Sequence, residues 1–244
     1  MAIKAPDPAL VDKLVTANRI LYSQGIVDGF GHISVRHDSV PDVFLLSCNR
    51  APGLVVREDI VCYDLDGNAL SDNAERPYLE RFIHAEIFRT RADVGSVVHS
   101  HSASVIPFGL IGQRLRPVYH MAGFLGSGAA HFEMREAGGN TDMLIRNPAL
   151  GRALAQSLGA SNCVLMRGHG STTAGGSIEL AVYRAIYAET NAKLQTQALL
   201  LSGSDDKINY LTPEEATLAQ ASTEGQVARC WNLWVGEIDT ASKG

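Results

Sequence analysis

The stretch Val94-Gly95-Ser96-Val97-Val98-His99-Ser100-His101 decides how this chain is read. A short apolar run with β-branched residues reads as a buried strand. Side chains at i and i+2 of a strand share one face, so His99 and His101 present two imidazoles to a single point. Imidazole suits zinc, manganese and their neighbours. A second apolar run, Cys163 to Met166, leads into Arg167-Gly168-His169-Gly170, where the flanking glycines let the backbone approach whatever His169 binds. The plainer alternative is that each histidine is a strand-end residue satisfied by local hydrogen bonds.

Outward from these strands the texture is mixed. Asp7-Pro8 is a helix-start signal, and Leu10, Val11, Leu14, Ala17, Asn18 and Leu21 follow at helical spacing up to a stop at Gly25. Short strand-like runs cover His32 to Arg36, Val43 to Ser47 and Ile60 to Asp64, with Asp66-Gly67 as a hairpin signal. Pro77 precedes a helix expected over Leu79 to Thr90, and Val118 to His120 reads as a further strand. Helices are expected over Asn147 to Leu158, Ser177 to Leu201 and Thr212 to Trp234, the last opened by the capping box Thr212-Pro213-Glu214-Glu215. The pattern predicts an α/β fold with a mainly antiparallel sheet and helices on its faces, residues 1–244 forming one domain.

Glu80 is the fourth candidate at the site. It stands at a helix start, where the helix dipole alone favours an acid. His84, four residues on, can hydrogen-bond it from the same helical face. Gly29-Phe30-Gly31-His32-Ile33-Ser34 reads equally as an anion-binding backbone turn or a plain tight turn. His120 and His131 read as structural, and Trp231 and Trp234 as core or subunit contact.

The chain has 244 residues, 45% hydrophobic and 19% charged, with a formal net charge of -5. That is ample apolar content for a full core, and disorder is excluded. No basic block marks a nucleic-acid surface, and no run approaches the roughly 18 apolar residues of a membrane span. Cys48, Cys62, Cys163 and Cys230 form no CxxC and read as reduced, mostly buried thiols. With no signal-peptide core near the start, the expected location is cytoplasmic.

Gly31-His32-Ile33-Ser34-Val35-Arg36, Leu79-Glu80-Arg81-Phe82-Ile83-His84, Val97-Val98-His99-Ser100-His101 and Met166-Arg167-Gly168-His169-Gly170 occur in the order seen in the class II aldolase/adducin family. The resemblance covers roughly residues 8 to 205. It implies a three-layer α/β/α fold, usually in a homotetramer with sites near subunit interfaces. It also implies one divalent ion per subunit, Mn2+ or Zn2+, held by His99, His101 and His169, with Glu80 as acid/base. The residues that grip phosphate in phosphosugar members differ here. His32 replaces the Asn of a Gly-Asn turn, the second turn reads Ser47-Cys48-Asn49-Arg50, and a Ser-Ser pair has become Tyr78-Leu79. Met121 stands where aldolases place a catalytic tyrosine.

Ala5 to Val11, Tyr78 to His84 and His120 to Gly126 are most similar to the branch that decarboxylates 3-hydroxy-2-methylpyridine-4,5-dicarboxylate and dihydroxyphthalates. The resemblance therefore implies a decarboxylase of a hydroxylated aromatic dicarboxylate, with a phosphosugar or sugar-acid aldolase or epimerase as the alternative. A non-catalytic adducin-like module is disfavoured, because all three histidines and Glu80 are present. Substrate contacts are expected from His32, Ser47, Arg50, Arg76 and Tyr78, one arginine (Arg50, Arg76 or Arg81) forking the second carboxylate.

Overall fold

The computed structural model describes residues 3–70 and 77–241. Seven strands form one sheet: β1 (His32–Arg36), β2 (Val43–Ser47), β3 (Ile60–Asp64), β4 (Ser96–Ser100), β5 (Ala130–Phe132), β6 (Cys163–Met166) and β7 (Gly170–Gly175). Their spatial order is β3-β2-β1-β4-β7-β6-β5. Every pair is antiparallel except β5 with β6. The expected mainly antiparallel sheet is therefore present.

Helices cover both faces. On one side α1 (Pro8–Ser23), α5 (Ile178–Ser202) and α7 (Val227–Ala241) bury Leu14, Ile20, Tyr183 and Trp234 against Ile33, Leu45, Val98 and Leu165. On the other, α2 (Arg81–Thr90) and α4 (Pro148–Leu158) bury Ile83, Ile87 and Leu154 against Phe44, Leu46, Val97 and Val164. Neighbouring strand residues thus divide between two cores, as strand periodicity requires. The short α3 (Met134–Gly138) and α6 (Pro213–Glu224) complete the set. Trp234 is buried and Trp231 packs half-buried on the same core. None of the four cysteines is in a disulfide; Cys62 and Cys163 are buried, Cys48 and Cys230 partly so.

Three expectations need correction, and two strands were not foreseen. Val118 is not in a strand: its N–H goes to the Asn191 side chain, and His120–Leu125 coil into a 3₁₀ turn. The last helix is broken at Gly225 into α6 and α7. Helix α2 starts at Arg81, leaving Glu80 at the N-cap position. Strands β5 and β7 carry no strong sequence signal, although β7 is central. Its Gly-Ser-Thr-Thr-Ala-Gly run is buried throughout, and a Cβ at Gly175 would lie 2.6 Å from the Ala181 amide of α5. Close packing on both neighbours, rather than apolarity, keeps this strand inside.

Candidate metal centre

His99 lies on β4, its face shared with Val97, and His101 follows one residue past the strand end. His169 occupies the tight β6–β7 connection, where Gly168 takes φ +64°. Gly170 then lies so close to the Ser100 carbonyl that no side chain fits between β7 and β4. The glycine thus admits the neighbouring strand, a different use from the backbone–ligand approach expected of it. Glu80, at the start of α2, points in from the same side.

These residues converge. His99 Nε2 is 3.3 Å from His101 Nε2, and Glu80 Oε2 is 3.6 Å from His99 Nε2 and 3.5 Å from His169 Nε2. One ligand atom from each of the four lies within 4.8 Å of the others. The outward nitrogens are held from behind. His169 Nδ1 donates to the Met143 carbonyl at 3.0 Å, and His99 Nδ1 faces Thr172 Oγ1 at 3.3 Å. A protonated Nδ1 leaves Nε2 as a bare lone pair, the form a cation needs. Among the described residues, buried His169 Nε2 has no hydrogen-bond partner, only the ionic neighbour Glu80 Oε2. Three lone pairs and a carboxylate aimed at one point, with one nitrogen orphaned, fit a divalent cation.

The electrostatics agree. Burial pushes His99 well below the ordinary imidazole range and also lowers His101, so both are neutral donors at pH 7. Burial alone would raise the Glu80 carboxyl, but His169 and His99 beside it hold it well below the usual range. Glu80 Oε1 also accepts the Ile145 N–H at 3.0 Å.

The segment around Met143 to Ile145 was not foreseen as part of the site. It supplies a carbonyl to His169, an amide to Glu80 and, through Leu144, part of the pocket wall. Met143 sits at φ +72°, an uncommon conformation for a side-chain-bearing residue. Thr172 was also missed. Neither carries a metal-ligand residue type; the nearest signal was the turn-rich Gly138-Gly139-Asn140-Thr141-Asp142.

Beside the cluster lies a pocket of about 180 Å3 whose wall includes Phe30, His32, Asn49, Tyr78, Glu80 and His101. His32 and Tyr78 are there as expected, their rings 4.6 Å apart. The Tyr78 hydroxyl donates to the Arg50 carbonyl, and burial lifts its phenol to about 12. Other expected contacts are not brought in. Ser47 is fully buried at the end of β2, and the Arg50 side chain pairs with Asp59 at 3.2 Å. Arg81 is spent on the Gly67 and Tyr78 carbonyls. Arg76 lies outside the described residues. His84 is not Glu80's partner; it is buried between His32 and Ser34. In the Gly29–Ser34 turn the Phe30 amide is given to Asp28. His131 hydrogen-bonds the Gly109 carbonyl, and His120 is exposed.

Residues 12–196 match the class II aldolase and adducin N-terminal domain. The chain belongs to the class II aldolase/adducin family. Among its curated relatives, "Decarboxylase tropJ" of Talaromyces stipitatus is 38% identical, the match covering 94% of each chain. The 3,4-dihydroxyphthalate decarboxylase of Arthrobacter keyseri is 35% identical over 79% of this chain and 80% of its own. A crystal structure of an aldolase II superfamily protein from Pseudomonas syringae superposes with a TM-score of 0.80 at 20% identity, covering 98% of this chain and 95% of the other. A structure of L-fuculose 1-phosphate aldolase has the same fold, with a TM-score of 0.74 at 18% identity, covering 89% of this chain and 97% of the other. Among the described residues no helix is long and apolar enough to cross a membrane.

Proposed function

We propose that this chain is a carbon–carbon lyase that removes CO2 from a hydroxylated aromatic dicarboxylate, using one divalent ion, Mn2+ or Zn2+, held by His99, His101 and His169. The observation that carries the reading is the convergence of three imidazole lone pairs and the Glu80 carboxylate beside a small ring-walled pocket. Two decarboxylases among the relatives support the reaction class. A volume of about 180 Å3, below the roughly 300–1,000 Å3 of drug-sized sites, suits a single ring. The bound ion supplies Lewis acidity, accepting the electron density left on the substrate when the C–C bond breaks.

The chain's own residues do the rest. Tyr78, His32 and Leu144 form walls that orient the ring and exclude water. Glu80 is ionised at rest, so it first takes the proton of the ring hydroxyl and then returns it to the ring carbon bearing the departing carboxylate. That protonation interrupts aromaticity. Loss of CO2 returns the bonding pair to the ring and restores it, and the ring oxygen recovers a proton from water as product leaves. We also read the chain as one cytoplasmic domain that assembles as a homotetramer, as is usual in the family.

The test is CO2 release from a panel of ortho-hydroxylated benzene and pyridine dicarboxylates by metal-loaded protein. Release abolished by EDTA and restored by metal is the expected result. Silence across the panel with metal bound refutes it.

A further inference from the structure

The pocket wall poses a charge problem. A dicarboxylate needs something to hold the carboxylate that stays, yet among the described residues the wall contains no Lys or Arg side chain. Of the three expected forks, Arg50 and Arg81 are committed elsewhere and Arg76 lies outside the described residues. What the wall does contain is His32, with a buried hydrogen-bond chain behind it.

His32 stands opposite His99 in the β1–β4 register, its ring 5.0 Å from that of His99. Gly31 permits this closeness: it takes φ +93°, and a Cβ there would meet Val27 Cγ1 at 2.6 Å. His32 Nδ1 is 2.6 Å from His84 Nε2, and His84 Nδ1 is 2.6 Å from Ser34 Oγ. His84 and Ser34 are fully buried. Proton positions follow from satisfying every donor. The Ser34 hydroxyl has one hydrogen-bond partner among the described residues, His84 Nδ1. If His84 carried its proton on Nδ1, the serine hydroxyl hydrogen would be buried without an acceptor, a costly arrangement. Ser34 therefore donates to His84 Nδ1, His84 donates through Nε2–H to His32 Nδ1, and His32 must carry its own proton on Nε2. That nitrogen is the one left for the pocket.

We propose that Ser34 and His84 form a one-way hydrogen-bond relay that fixes His32 as a neutral Nε2–H donor, and that this donor holds the retained carboxylate of the substrate beside the metal-ligating cluster. His32 is the binding residue; His84 and Ser34 are positioning residues that act through it. The identity of the anion rests on the dicarboxylate reading above, whereas the relay does not. A neutral donor in place of an arginine also keeps the net positive charge at the ion, where the C–C bond breaks.

Zinc-loaded protein labelled with ¹⁵N-histidine tests this without turnover. Long-range ¹H–¹⁵N correlation is expected to show His32 and His84 both protonated on Nε2 alone. Finding His32 protonated on Nδ1, or on both nitrogens, overturns the relay. Adding phthalate, an inert dicarboxylate, should move the His32 Nε2–H resonance downfield to saturation. No movement at millimolar phthalate overturns the carboxylate-holding role. In Ser34→Ala, His32 should become a mixture of tautomers and phthalate should bind about fivefold more weakly, the worth of one ordinary hydrogen bond. Unchanged tautomer and affinity in that variant would remove Ser34 from the relay and overturn its one-way form. Wild-type protein that passes these tests but releases no CO2 from any dicarboxylate would refute the proposed reaction and leave the relay standing.

Discussion

Replacing Gly170 by alanine isolates how His169 reaches the other ligands. Gly170 is absent from the residues with positive φ, so alanine can adopt its backbone conformation without strain. The obstacle is space. A Cβ there would sit against the Ser100 carbonyl oxygen, roughly 1 Å inside the closest approach that such atoms adopt, and 3.2 Å from His101 Cδ2. A strand, β4 or β7, must move rather than a side chain, because the obstructing atom is backbone. Overpacking of this kind costs about 1–3 kcal/mol, or about 2–12 °C in Tm for a chain of this size. The same movement carries His169 away from His99 and His101. A misplacement near 1 Å costs on the order of 100-fold in a positioned reaction, so metal affinity and turnover should fall together by about that factor. Thermal melting of metal-free protein and zinc titration read the two effects separately. Gly236→Ala is the control: a Cβ at that helical position meets nothing within 4 Å, and the variant should be as stable as the parent or slightly more so. A Gly170→Ala protein with parental Tm and zinc affinity would refute the claim that β7–β4 closeness builds the site.

Thr172→Val removes the oxygen behind His99 Nδ1 and should weaken zinc binding by about 10–100-fold in the same titration. His169→Ala should lose bound metal and activity together, whereas Glu80→Gln should retain metal and lose about 10²–10⁴-fold in kcat; metal content measured beside turnover separates them. Burial, with His99 beside it, lowers His84 from 6.5 to about 3. Its native form refuses a proton that the unfolded chain accepts, so stability is complete above pH 6.5 and falls as pH drops toward 3. His84's share at pH 5 is about 2 kcal/mol. Urea unfolding of metal-free protein between pH 7 and 5 should show this slope, flattened in His84→Gln; an equal slope in both proteins would exclude His84 as its source.

The legible parts of the fold were those with a local signature. Pro8 after Asp7, the Thr212 capping box and the short strand-like runs before His37 and Cys48 announce themselves by composition or cap chemistry. Strand β7 did not, because its small residues are placed by tertiary packing that no window of sequence displays. At the site, ligand-type residues could be named because histidine at strand spacing is a chemical signal. Their supports could not. The Met143 carbonyl and the Ile145 amide act through backbone, which is identical in every residue type. Arg50 and Arg81 were overvalued for the converse reason: charge is visible in sequence, whereas its prior commitment to Asp59 or to carbonyl oxygens is not.

Glu80, the His99–His101 pair and His169 come from a helix start, a strand end and a turn that are remote in sequence and meet only in the finished sheet. A cation bound there ties three separate parts of the chain together, and it favours the native state by about 2.7 kcal/mol at a free concentration of 100 Kd. Loading of the proposed ion would also be timed by synthesis. A nascent chain that has emerged just past β4 carries Glu80, His99 and His101, and His169, the last of the four, follows only after β6. Full-affinity uptake of the proposed ion would therefore report that β7 has docked, making that ion a late inspector of folding as well as a reagent.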